Sequence, residues 1–273
     1  MSTISTYLQI SKDLSKWQAI TAKKPEVSLA TKYFQNNIGK VKSADDLIKN
    51  PRLFNYAMTA FGLGDRLYAK GLMKKVLQEG VSSNASLANK LNNSNILDFA
   101  KAFNFAKDGQ STTQSSTLVS TVVNRYTENA LEADQAKNNP GVELALHFKQ
   151  VAPNIKSVYS ILADSKLLKV VQTTLGISPL TSAQPVDTQY RLLKAKLNIS
   201  DFQNPKKLDA FISRFTAMYD MNNSDPTSGS YSVASAPNAI LMGAAMAGTD
   251  GATGIDQSLL LQAASQRTSS FYA

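Results

Sequence analysis

His147 is the single histidine of the 273-residue chain, so any triad that uses an imidazole has to run through it. A metal site built on several histidines cannot be assembled. His147 stands on a predicted helix beside Phe148, and Glu143, four residues earlier, is the carboxylate at helical spacing. This reads as a structural histidine, exposed or half-buried. The chain has no cysteine, which removes disulfides, thiolate nucleophiles and Cys-ligated metals. Gly243 and Gly248 have the glycine spacing of a phosphate-binding loop, but Thr249 stands where the lysine is required. That stretch reads as a small-residue turn or helix contact. Gly62-Leu-Gly64 lacks a third glycine at Leu67 and reads as a helix stop. Asp45-Asp46, followed by an apolar run, suits a helix N-terminus better than a catalytic carboxylate pair. The expectation is a non-enzymatic protein with no catalytic, cofactor-binding or metal-ligating residues and no cofactor.

The elements that would position these residues are helices. Tyr7, Ile10, Leu14 and Trp17 recur at steps of three and four, one apolar stripe on one helix. Pro25 suits the first turn of the next helix, which carries Val27, Ala30, Phe34 and Ile38 and stops at Gly39. Ser43 reads as an N-cap, and Asn50-Pro51, Asn139-Pro140 and Asn204-Pro205 repeat one start signal. Ser120–Val123 is the best strand candidate, yet a long helix from Thr117 to Lys137 explains it better. The expected fold is all-α.

The helices read as two tandem copies of one unit. Shifting the sequence by 114 places Val41–Leu63 on Ile155–Ile177 without a gap. Phe34 then falls on Phe148, Leu53 on Leu167 and Gly62 on Gly176. With a one-residue slip, Val27, Leu29 and Ala30 fall on Val142, Leu144 and Ala145; downstream, Phe103 corresponds to Phe215. The expected organisation is a helical repeat over 1–106, a polar linker and the start of a long helix over 107–121, a second repeat over 122–221, and a Ser/Gly/Ala-rich tail over 222–273. The shared aromatic and leucine positions are expected in the core, where burying each side chain contributes roughly 1.5–3 kcal/mol.

The net charge is +9, and it is uneven. Residues 7–105 carry 15 Lys and Arg against 7 Asp and Glu, residues 122–220 carry 12 against 9, and the remainder carries 2 against 4. Apolar positions agree between the copies while charges diverge, so the first copy is expected to present the partner-binding face. Lys70, Lys74 and Lys75 are its candidate residues, since Lys70 and Lys74 would share one helix face. A nucleic-acid partner is disfavoured because no basic run exceeds a doublet. The alternative is a basic regulatory or nucleic-acid-binding helical module. Oligomeric state is not legible.

The N-terminus has no basic region followed by an apolar run, so a cleaved signal is not expected. The strongly apolar part of the longest uncharged stretch is Ile240–Gly248, short of the roughly 20 residues a spanning helix needs. Asp256–Arg267 can form a short amphipathic helix with Leu259, Leu260, Ala263 and Ala264 on one face.

The N-terminal stretch Ser5-Thr-Tyr-Leu-Gln-Ile10, the Tyr33-Phe34 pair, Asp45-Asp46-Leu-Ile-Lys-Asn-Pro-Arg-Leu-Phe54 and Ala60-Phe61-Gly62-Leu63 together resemble a bacterial domain-of-unknown-function family numbered 1217. The resemblance spans most of residues 1–220. It implies an alphaproteobacterial, non-enzymatic protein associated with the flagellum, with a flagellar component as its protein partner, either cytoplasmic or exported without a cleaved signal. Its motifs are helix punctuation, and it supplies no site residues.

Overall fold

The computed structural model describes residues 2–223, which form sixteen α-helices and several 3-10 turns, with no strand among the described residues. The fold class is all-α. The helices are α1 (Thr3–Lys12), α2 (Leu14–Ala22), α3 (Pro25–Asn37), α4 (Ala44–Lys49), α5 (Pro51–Ala60), α6 (Lys70–Glu79), α7 (Leu87–Lys90) and α8 (Ser94–Ala102). They continue as α9 (Phe105–Asp108), α10 (Ser111–Gln114), α11 (Ser116–Ala136), α12 (Pro140–Val151), α13 (Val158–Leu162), α14 (Ser165–Leu175), α15 (Val186–Lys196) and α16 (Pro205–Asn223).

The start signals work as their chemistry requires. Ser43 accepts from Asp46 N–H, Asn50 from Leu53 N–H, Asn139 from the Gly141 and Val142 amides, and Asn204 from the Lys206 and Lys207 amides. Each satisfies backbone donors that a helix start leaves unpaired. After α5 and α14 the chain turns through Gly62 and Gly176, with φ of +66° and +63°. Only glycine adopts that backbone at little cost. The order helix, 3-10 turn, short helix, helix occurs twice, as α3 to α5 and as α12 to α14.

Apolar side chains gather into two cores. Phe34, Leu47, Leu53, Met73, Phe99, Phe103 and Val122 belong to the first. Phe148, Ile161, Leu167, Val170, Ile212 and Phe215 belong to the second. The 21-residue α11, about 31 Å long at 1.5 Å per residue, gives Leu118 and Val122 to the first core and Leu131 to the second.

Four expectations change. The N-terminal stripe is two helices, because Asp13 leaves helical geometry (φ −144°, ψ 64°) and caps α2 by accepting from Lys16 N–H. Tyr7 and Ile10 of α1 pack in the second core, so the division at 106 does not separate the cores. The polar segment read as a linker forms α9, α10 and the start of α11. Its Thr112 and Thr113 are buried, donating to the Asn104 and Val41 carbonyls. Leu29 is 65% exposed although its counterpart Leu144 is 5% exposed. α12 is enclosed by α1, α11, α14 and α16, while α3 packs mainly on α5 and leaves one face open. The tail beyond residue 223, with Gly243–Gly248 and the helix expected over Asp256–Arg267, lies outside the described residues.

Candidate functional site

His147 is buried, on α12, between two carboxylates from other elements. Its Nδ1 lies 3.2 Å from Glu132 Oε2 of α11, and its Nε2 lies 3.3 Å from Asp164 Oδ2. Asp164 is the N-cap of α14: its Oδ1 accepts from the Lys166 and Leu167 amides at 2.9 and 3.1 Å. Burial pushes the imidazole toward its neutral form. Hydrogen bonds to Asp164 and Glu132 and the charge of those carboxylates outweigh it, and the pKa rises from 6.5 to about 9. Asp164 is pushed up by burial, but the imidazolium and the two amides hold it below the usual carboxylate range.

The sequence-based partner, Glu143, instead pairs with Lys166 at 2.7 Å. The histidine is more deeply set than expected, and its partners lie 15 residues before it and 17 after it, beyond any helical period. In its protonated form the ring donates from both nitrogens, which leaves neither with a lone pair for a metal or for proton abstraction. Among the described residues no group of three or more His, Cys, Asp or Glu is placed to hold a metal ion.

The centre extends into the first half. Asn95 of α8 donates to Asp164 Oδ2 at 3.3 Å, and Asn93, the N-cap of α8, donates to the Ala163 carbonyl at 3.4 Å. A second polar site lies nearby on α11, where burial raises the pKa of Glu128 as it accepts from Gln18 and Gln150.

The lysines proposed for partner binding sit on α6, but not as one free cluster. Lys70 is exposed at its first turn. Lys74 forms an ion pair with Asp45 of α4 at 2.7 Å, and Lys75 pairs with Glu79 at 3.7 Å. Lys74 therefore ties α6 to α4.

The basic surface missed by sequence reasoning lies between α3 and the start of α5, bordered by Lys49 of α4. A groove of about 630 Å³ is lined by Tyr33, Asn37, Lys40, Lys49, Asn50 and Arg52, among others. The Arg52 guanidinium sits 3.6 Å over the Tyr33 ring, a cation–π contact that holds it in place. Tyr33, Pro51 and Arg52 also wall a second groove of about 380 Å³, which includes Ala30, Tyr56 and Tyr126. Tyr56 stacks between Phe34 and Tyr126, with ring centroids at 4.5 and 3.8 Å. This column carries the first core out to the groove. The signal in the sequence was Tyr33, one residue before a core phenylalanine, with Arg52 two residues past a helix cap.

An all-helical protein whose one imidazole serves its interior, and whose cations lie outside, is the class that fold and site define. The chain belongs to the family described as protein of unknown function DUF1217, which matches residues 60–208. It is similar to a protein from Agrobacterium tumefaciens, a structural-genomics target solved by X-ray crystallography. The two share 38% identity at a TM-score of 0.75, over 82% of this chain and 97% of that one. No curated protein matches the chain.

Proposed function

We propose that this chain is a non-enzymatic structural or interaction protein of the bacterial flagellum or its export apparatus, working through a protein partner. The observation that carries the reading is how the ionisable groups are used. His147, Glu132 and Asp164 satisfy one another inside the protein, whereas Lys40, Lys49, Arg52 and Lys70 are exposed on the first half. The flagellar part rests on the family resemblance in Tyr33-Phe34, Asp45–Phe54 and Ala60–Leu63. The test is deletion of the gene, scored for motility, with a search for the protein among flagellar secreted material. Lost motility together with presence in that material supports the reading. Normal motility with the protein confined to the cytoplasm overturns it. Salt-dependent retention of the purified chain on a polyanion column, combined with normal motility, would favour the basic regulatory or nucleic-acid-binding module instead.

A further inference from the structure

The two halves share a local arrangement at positions 114 residues apart. Tyr33 and His147 each precede a fully buried phenylalanine, Phe34 and Phe148. Each also meets the N-cap residue of a later helix. Asn50 Nδ2 donates to Tyr33 Oη at 3.2 Å, and His147 Nε2 faces Asp164 Oδ2 at 3.3 Å. Arg52 and Lys166 each follow two residues past the cap.

In the second half this seat is covered. The N-terminal end of α8 lies on it, with Asn93 on the Ala163 carbonyl, Asn95 on Asp164, and both asparagines buried. In the first half the matching residues, Lys49 and Asn50, line the open groove between α3 and the start of α5. We infer that this groove receives the N-terminal end of a helix from a protein partner, seated as α8 is seated on the second half, and that the partner helix carries carboxylates in its first turn.

Charge sets the chemistry of the guest. The second-half seat offers the Asp164 carboxylate and takes an amide from Asn95. The first-half seat replaces that carboxylate with neutral Asn50 and surrounds it with Lys40, Lys49 and Arg52. Its one acid, Asp46, is engaged by its own helix start: its carboxylate accepts from the Lys42 amide, and its amide donates to Ser43 Oγ. A helix N-terminus is itself partially positive, so a neutral helix end would be repelled here. Aspartate or glutamate in the first turn satisfies both the partner's own dipole and the three cations, and Arg52, fixed over Tyr33, is set to meet a carboxylate with paired N–H donors. The corresponding helix of a second copy fits worse. That helix, α16, also starts at an asparagine cap but puts Lys206 and Lys207 in the first turn, against Arg52.

This inference rests on the reading of the chain as an interaction protein. Its test is fluorescence anisotropy with the full-length chain and a labelled, alanine-rich helical peptide bearing glutamates in its first turn, beside a twin bearing glutamines. The glutamate peptide should bind and the glutamine twin should not. Arg52→Glu should weaken binding by about tenfold or more, Arg52→Gln by less, and Lys70→Glu by no more than about twofold. Equal binding of the two peptides, or unchanged binding by Arg52→Glu, would overturn the inference. So would competition by duplex DNA at this groove, or self-association of the chain that Arg52→Glu abolishes. Loss in Lys70→Glu alone would move the surface to α6 and leave the interaction reading standing. Normal motility on deletion removes the flagellar reading without touching the peptide result.

Discussion

Asp164 caps α14 with one carboxylate oxygen and holds His147 with the other, so a helix start and a buried imidazolium depend on one side chain. The neighbours facing this pair are Glu132 from α11, Lys166 and Glu143 across the α12–α14 contact, and Asn95 from α8. Because the folded pKa of His147 is raised to about 9 from 6.5, its contribution is full below pH 6.5 and is lost as pH rises through 9. A shift of that size corresponds to roughly 3 kcal/mol of stability. Melting temperature should therefore fall between pH 6.5 and 9.5 in the native chain, and His147→Gln should flatten that slope. Since there is one histidine, its ring-proton NMR signal can be followed alone. A titration midpoint near 6.5 would contradict the assignment.

Asn95 joins α8 to the second half, and it is buried beside Gly62, whose added Cβ would lie 3.2 Å from Asn95 Nδ2. Asn95→Leu should destabilise the fold by about 1–3 kcal/mol, since it removes a donor from a buried carboxylate. Denaturant unfolding of the variant reads the effect. Asn95→Asp should be worse, because it sets a second carboxylate against Asp164.

At Gly141, α12 lies close against α1 and α16. A Cβ there would lie 2.5 Å from the Tyr219 ring and 2.8 Å from Thr3 Cγ2. Gly141→Ala should lower stability by about 1–3 kcal/mol, as overpacking does, even though alanine favours helices. An unchanged or raised melting temperature would show that α1 and α16 can give way.

The α6 lysines should separate from one another. Lys70→Glu is expected to leave the melting temperature within about 1 °C, as exposed charges contribute little. Lys74→Glu loses the Asp45 pair and sets two carboxylates together, at a cost of up to about 1 kcal/mol. Thermal scans at low and at high salt check both. Added salt should narrow the difference.

Local chemistry was legible in the sequence, and its three-dimensional consequences were not. Asn50-Pro51, Asn139-Pro140 and Gly176 announce helix ends because caps and stops act within a few residues. The partners of His147 could not be found that way, since Glu132 and Asp164 reach it from other helices. Asp13 was an available cap signal, hidden because the stripe of Tyr7, Ile10, Leu14 and Trp17 continues across the break. Residues 108–116 have linker composition, yet their threonines satisfy backbone carbonyls instead of water. The Tyr33–Arg52 contact spans two helices and was invisible to charge counting, which pointed to the lysines of α6.

Asp220 near the end of α16 accepts hydrogen bonds from the Thr3 and Ile4 amides at 2.8 and 3.2 Å, and so caps the first helix of the chain. During synthesis α1 leaves the ribosome before the other helices described, and the side chain that satisfies its free amides arrives 217 residues later. At about 5–20 residues per second, that is a wait of roughly ten to forty seconds. The first core has no such debt, because its residues lie between Phe34 and Val122. The first half of the chain can thus assemble early, while the second core closes only when translation has passed α16 and the N-terminal helix is captured from behind. A ribosome stalled before residue 205 should hold a chain in which Phe34 is protected and Tyr7 is still open to protease.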